Sequence, residues 1–131
     1  MNCFVLDTCA LIWIALGDNK ISESTLKLVQ SKDASIYLPV ISIAELACLA
    51  DHKKIMLEQH WKKWLDKFIY LTNIKVAAID YEIICDAYAL PGQFHNDPAD
   101  RLIVATARKL SAYVVTKDQK ILDYPFVKSL S

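Results

Sequence analysis

His95-Asn96-Asp97-Pro98-Ala99-Asp100-Arg101 runs directly into Leu102-Ile103-Val104-Ala105-Thr106-Ala107. Asp97 is a favoured N-cap type and Pro98 a favoured first helical residue, so the stretch reads as a helix start. Asp100 then lies in the first turn, where unpaired N–H groups and the helix dipole tolerate negative charge. The apolar run that follows predicts a helix over Pro98–Leu110. Beyond it, Tyr113-Val114-Val115-Thr116 reads as a strand covered on both faces, ending at Lys117-Asp118.

The rest of the chain repeats this alternation. Cys3-Phe4-Val5-Leu6 reads as a strand ending at Asp7-Thr8, and the helix Ala10–Leu16, apolar nearly all round, stops at Gly17. A helix over Ser22–Lys32 leads to the strand Ser35-Ile36-Tyr37-Leu38, which ends at Pro39. Ser42-Ile43-Ala44-Glu45 reads as a capping box opening the helix Leu46–Lys54. Glu58–Leu71 is amphipathic, with Trp61, Trp64, Leu65 and Phe68 on one face and Lys62, Lys63, Asp66 and Lys67 on the other. Lys75–Ile79 reads as a strand, and Asp80 caps a helix to Leu90 that Pro91-Gly92 breaks. Gln119–Leu122 is a short helical turn, and Phe126-Val127 an edge strand. Strands alternating with helices predict an α/β fold, a parallel sheet with helices on both faces. In such sheets the ligand crevice lies beyond the carboxyl ends of the strands.

Composition narrows the class. At 131 residues and 54% hydrophobic content, with only 2 glycines and 4 prolines, the chain predicts one folded domain over residues 1–131. Lys+Arg and Asp+Glu are both 15, which argues against a nonspecific polyanion binder; a nucleic-acid substrate would need a local basic rim. Cys3, Cys9, Cys48 and Cys85 lack CxxC spacing and sit in apolar runs, so they read as buried free thiols of a reducing, cytoplasmic compartment. His52, His60 and His95 offer no zinc-site spacing. Asp7 interrupts the opening apolar run, which argues against a signal peptide, and no segment has the length to span a bilayer.

Asp7, Glu45 and Asp118 all fall at strand-to-helix transitions on the carboxyl edge, and Asp100 reaches the same edge if its helix starts there. Each acid also has a structural account. Asp7 also reads as a cap of the following helix, Asp118 as a turn or cap residue, Glu45 as half of the capping box, and Asp100 as a helix-dipole acid. Together they predict one crevice whose carboxylates repel and whose pKa values rise unless a cation relieves them. An all-oxygen acidic set suits Mg²⁺ or Mn²⁺, which polarises phosphodiesters and activates water. Thr8, Thr116 and Asp97 are short polar residues placed to orient ligands or water.

Val5-Leu6-Asp7-Thr8, Ser42-Ile43-Ala44-Glu45-Leu46, His95 to Arg101 and Val115-Thr116-Lys117-Asp118, in this order and at this spacing, resemble PIN-domain nucleases. The resemblance covers essentially the whole chain and is nearest to the VapC-like ribonuclease toxins of type II toxin–antitoxin systems. It implies a three-layer α/β/α fold around a parallel sheet of about five strands. It also implies a Mg²⁺- or Mn²⁺-dependent endoribonuclease whose metal-binding acids are Asp7, Glu45, Asp100 and Asp118. Asp97 matches the motif's first aspartate, with a capping or supporting role. Ala99 stands where the motif often carries an aromatic. Arg101 and Lys117 adjoin the acids and are expected to contact phosphates, and His95 to contact a base or stabilise its loop. The implied partners are RNA and an antitoxin encoded nearby. The apolar helix Ala10–Leu16 and the Trp61/Trp64/Phe68 face predict exposed surface for a homodimer and for an antitoxin segment. Two other readings compete. One is a PIN-like binding module without catalysis, which the presence of all four acids opposes. The other is an aspartate-dependent phosphatase, whose second aspartate is replaced by Cys9.

Overall fold

The computed structural model describes residues 2–131. Among these residues the chain forms β1 (Cys3–Leu6), α1 (Thr8–Leu16), α2 (Glu23–Val29), β2 (Ser35–Pro39), α3 (Val40–Asp51) and α4 (Trp61–Thr72). Then follow β3 (Lys75–Ala77), α5 (Tyr81–Ala87), α6 (Pro98–Leu110), β4 (Tyr113–Val115), α7 (Gln119–Leu122) and β5 (Lys128–Leu130). The five strands make one parallel sheet in the order β3-β2-β1-β4-β5. Strand order reverses at β1, which lies between β2 and β4, so the crevice expected of such a sheet opens where β1 and β4 end.

Alternation along the strands distributes the core to both faces. Phe4 and Leu6 pack with Leu11, Ile36, Leu38, Leu46 and Leu65. Val5 and Val114 pack with Ile103, Val104 and Ile121 on the other side. All of these side chains are buried, and each contributes about 1.5–3 kcal/mol by leaving water. α5 docks on α6 through Ile83, Ala87 and Ala105. This is the three-layer α/β/α architecture that the alternating pattern predicts.

Several boundaries differ from the sequence reading, for identifiable reasons. α1 begins at Thr8 because Asp7 caps it, accepting from the Ala10 N–H at 2.8 Å; Gly17, at φ 70°, supplies its left-handed stop. The Ser42–Glu45 capping box does not form. α3 starts at Val40 with Pro39 in the cap position, so Ser42 is already inside the helix and its buried hydroxyl donates to the Leu6 carbonyl at 3.2 Å. α2 ends at Val29 and α5 at Ala87, both short of their predicted ends. β5 is Lys128–Leu130 rather than Phe126–Val127, because Leu130 rather than Val127 pairs with Val115.

Two surface expectations are corrected. Cys9, Cys48 and Cys85 are exposed, since α1, α3 and α5 turn these small side chains outward, and Cys3 at the start of β1 is half-buried. Trp61, Trp64 and Phe68 are not an open face: they pack half-buried on the first core cluster, as do Ile12, Trp13 and Ile14. Exposed large apolar side chains include Leu16 at the end of α1, Tyr70 and Leu71 of α4, Tyr81 and Ile84 of α5, and Tyr88 at its C-cap. Among the described residues no helix is long and apolar enough to cross a membrane.

Candidate active site

A cleft of about 520 Å³ at the carboxyl edge is walled by Asp7, Glu45, Asp100 and Asp118 together with Thr8 and Lys117. Each acid arrives from a different element. Asp7 leaves β1, Asp118 follows β4, Glu45 projects from the second turn of α3, and Asp100 from the first turn of α6. The structural and functional accounts of Asp7 and Asp118 turn out to be compatible. Asp7 gives Oδ1 to the α1 cap and Oδ2 to the Thr116 hydroxyl, which donates at 2.5 Å. Asp118 caps α7 by accepting from the Lys120 N–H at 3.0 Å through Oδ1 alone. A carboxylate oxygen has two lone pairs, so capping leaves acceptor capacity facing the cleft.

The threonines tie the acids together. Thr116 is fully buried; its hydroxyl donates to Asp7 and accepts the Asp118 N–H at 2.9 Å, locking the ends of β1 and β4 to one another. The Thr8 hydroxyl donates to Glu45 Oε1 at 2.5 Å, which orients the one acid that comes from mid-helix. Asp97 caps α6 through the Ala99 N–H at 2.9 Å and also lines the cleft.

Charge crowding is visible in the acidities. Burial, followed in size by the charge of Asp97 and then by Asp118 and Glu45, pushes the Asp100 pKa from 3.8 up to about 7. Asp7 is also raised, by burial first and by the Asp118 and Glu45 charges, although the Thr116 and Ala10 hydrogen bonds oppose the shift. Cys9, exposed at the same cleft, has its pKa raised by desolvation against the cleft wall and by the charges of the acids, so it stands as a neutral thiol and not a thiolate nucleophile. His95 lies beside the pair Asp100 and Asp118, with one ligand atom of each within 4.8 Å of the others. An oxygen-rich site in which Asp7 and Asp100 resist ionising fits a hard divalent cation.

Two predicted substrate contacts are placed elsewhere. The Arg101 guanidinium turns away from the cleft and donates to the carbonyls of His95 (3.0 Å), Ala87 (2.9 Å) and Phe94 (2.8 Å). Its fork is engaged by the loop, which corrects the expected phosphate contact. His95 is likewise absent from the cleft wall and sits behind Asp100. Lys117 is exposed at the rim of the cleft. Sequence reasoning missed Trp13, Cys48 and Leu49, which complete the wall. The available signal was helical spacing: Trp13 lies at i+4 from Cys9, and Cys48 and Leu49 at i+3 and i+4 from Glu45.

The PIN domain family matches residues 4–127, and the chain belongs to that family. It is 31% identical over 121 residues to Ribonuclease VapC22 of Mycobacterium tuberculosis, an alignment spanning 92% of this chain and 91% of that protein. Its fold is similar to that of VapBC2 from Rickettsia felis bound to a promoter DNA fragment. There the TM-score is 0.71 at 19% identity, covering 97% of this chain and 96% of the other. It is also similar to a toxin–antitoxin complex from Klebsiella pneumoniae, with TM-score 0.65 at 17% identity, covering 94% and 93%.

Proposed function

We propose that this protein is the toxin of a toxin–antitoxin pair, a Mg²⁺- or Mn²⁺-dependent endoribonuclease hydrolysing RNA phosphodiester bonds. The observation that carries the reading is the convergence of Asp7, Glu45, Asp100 and Asp118, from four elements, on one crevice at the point where strand order reverses. The ribonuclease relative supports the chemistry, and the toxin–antitoxin neighbours the biology.

Asp7, Asp100 and Asp118 would hold the cation, with Glu45 completing the set. When bound there, such an ion supplies Lewis-acid polarisation of a phosphodiester and a nucleophile at neutral pH. The remaining work belongs to the chain. Thr116 keeps Asp7 and Asp118 in register, Thr8 aims Glu45, and Lys117 meets an incoming phosphate at the rim. Trp13 lines the same cleft, an aromatic side chain on whose ring an unpaired base would stack.

The antitoxin segment is assigned to the groove of about 580 Å³ between α1, α2 and α4, lined by Ile14, Val29, Ile36, Phe68 and Leu71. The homodimer is assigned to the exposed stripe of Tyr81 and Ile84 on α5 continued by Tyr88 at its C-cap, which repeats at helical spacing beside the face that buries Ile83 and Ala87.

Incubation of the purified protein with single-stranded RNA in Mg²⁺, Mn²⁺ or EDTA tests the activity, and mapping of RNA 5′ ends after brief induction in cells identifies the target. Cleavage that persists after thorough chelation would refute the metal mechanism.

A further inference from the structure

We propose that His95 and Arg101 act as a positioning pair for Asp100: Arg101 fixes the loop that carries His95, and the His95 Nε2–H steadies the Asp100 carboxylate from behind. The proposal rests on the reading of Asp100 as a cation ligand.

His95 Nε2 lies 3.0 Å from Asp100 Oδ2, in a contact where the histidine side chain is 22% exposed and the aspartate 18%. The nitrogen itself is buried and has no aligned hydrogen-bond partner, so Asp100 is the acceptor within its reach. The other ring nitrogen decides the tautomer. Nδ1 accepts the Asp97 N–H at 3.4 Å, so in the neutral ring the proton sits on Nε2, facing Asp100. Ligation of a cation through Nε2 would require that proton on Nδ1, pointing into the Asp97 N–H. His95 also stands outside the cleft wall that Asp100 and Asp118 form. Both facts make it a supporting donor and not a ligand.

Arg101 explains why the ring stays there. The segment between Leu90 and Asp97 has no helix or strand to hold it. Nε, Nη1 and Nη2 of Arg101 donate to the carbonyls of His95, Ala87 and Phe94, and the guanidinium lies over the Tyr88 ring at 5.4 Å. The Phe94 ring packs on the imidazole at 4.5 Å and on Tyr124 at 4.8 Å. Adjacent residues on a helix project about 100° apart at 3.6 residues per turn. Asp100 can therefore enter the cleft while Arg101 grips the loop behind it. A planar fork reaching three carbonyls has no equivalent in lysine, whose ammonium is a single point.

The test measures Mn²⁺ binding to the full-length protein by calorimetry, without RNA, together with thermal melts and with binding of a non-cleavable RNA oligonucleotide in EDTA. His95→Asn, too short to reach Asp100, should lose about 10–100-fold in Mn²⁺ affinity, the usual effect of removing a partner behind a metal ligand. His95→Gln, whose amide N–H reproduces the position of Nε2–H, should stay within about threefold of wild type. Arg101→Lys should fall with His95→Asn. RNA affinity in EDTA should be unchanged in all three, because neither residue faces the cleft. Wild-type Mn²⁺ affinity in His95→Asn, or a His95→Gln protein as weak as His95→Asn, would overturn the proposal. If the wild type itself binds no Mn²⁺, the cation-site reading fails and this inference with it, a result read in a different sample.

Discussion

Replacing Asp100 with Asn should make the metal-free protein more stable while abolishing its response to metal. The unfolded carboxyl ionises near 3.8 and the folded one near about 7. Between those values the folded state holds the extra proton, so wild-type stability without metal falls as pH rises from about 4 to about 7. At about 1.36 kcal/mol per tenfold change in proton affinity, this displacement sets a ceiling of about 4 kcal/mol. The cleft is open to solvent and Asp118 shares the charge, so screening leaves about 1–2 kcal/mol. Asn carries no charge and escapes the decline. At pH 7.5 the metal-free mutant should therefore melt roughly 3–8 °C above wild type, and at pH 4 the two should coincide. Mn²⁺ at a hundredfold excess over Kd should stabilise the wild type by about 2.7 kcal/mol and the mutant far less. Thermal scans with and without Mn²⁺, at both pH values, beside an RNA cleavage assay, read all of this. A mutant that is about 0.3–1 kcal/mol less stable, still active and still metal-responsive would show Asp100 to be only a helix-dipole acid.

Three further outcomes follow from the same geometry. Apparent Mn²⁺ affinity should climb about tenfold per pH unit below about 7, where binding must displace a proton from Asp100, and then level off; a flat profile by calorimetry would count against Asp100 as a ligand. Thr116→Val removes the hydroxyl that both donates to Asp7 and accepts from the Asp118 N–H, so denaturant titration should show a loss of about 1–3 kcal/mol, with Mn²⁺ affinity falling in parallel. Tyr81→Glu combined with Ile84→Glu places charge on the α5 stripe and should yield a monomer by light scattering with the far-UV circular dichroism unchanged; an unaltered dimer would move the interface elsewhere.

Local chemistry determined much of this protein before any tertiary contact. Continuous apolar runs such as Phe4-Val5-Leu6 and Tyr113-Val114-Val115 suit strands buried on both faces, and Asp97-Pro98 suits a helix start. Because Asp7 directly follows β1 and Asp118 comes three residues after β4, and parallel strands end on one edge, their meeting was legible in order and spacing alone. What the sequence left open was decided by packing. Ser42 and Glu45 had the form of a capping box; only the start of α3 at Val40 sent Ser42 to the Leu6 carbonyl and left Glu45 for Thr8. The tryptophan stripe on α4 was visible, but whether it met core or water depended on how deeply α4 sits on the sheet. Arg101 adjoins Asp100 in sequence and so looked like part of the same surface. One helical step separates their directions, and the carbonyls that hold Arg101 come from Ala87 at the end of α5 and from Phe94 and His95 in a loop whose path no local pattern specifies. Period and capping are properties of neighbours along the chain, whereas the partner of a side chain is set by segments that meet only when the sheet closes.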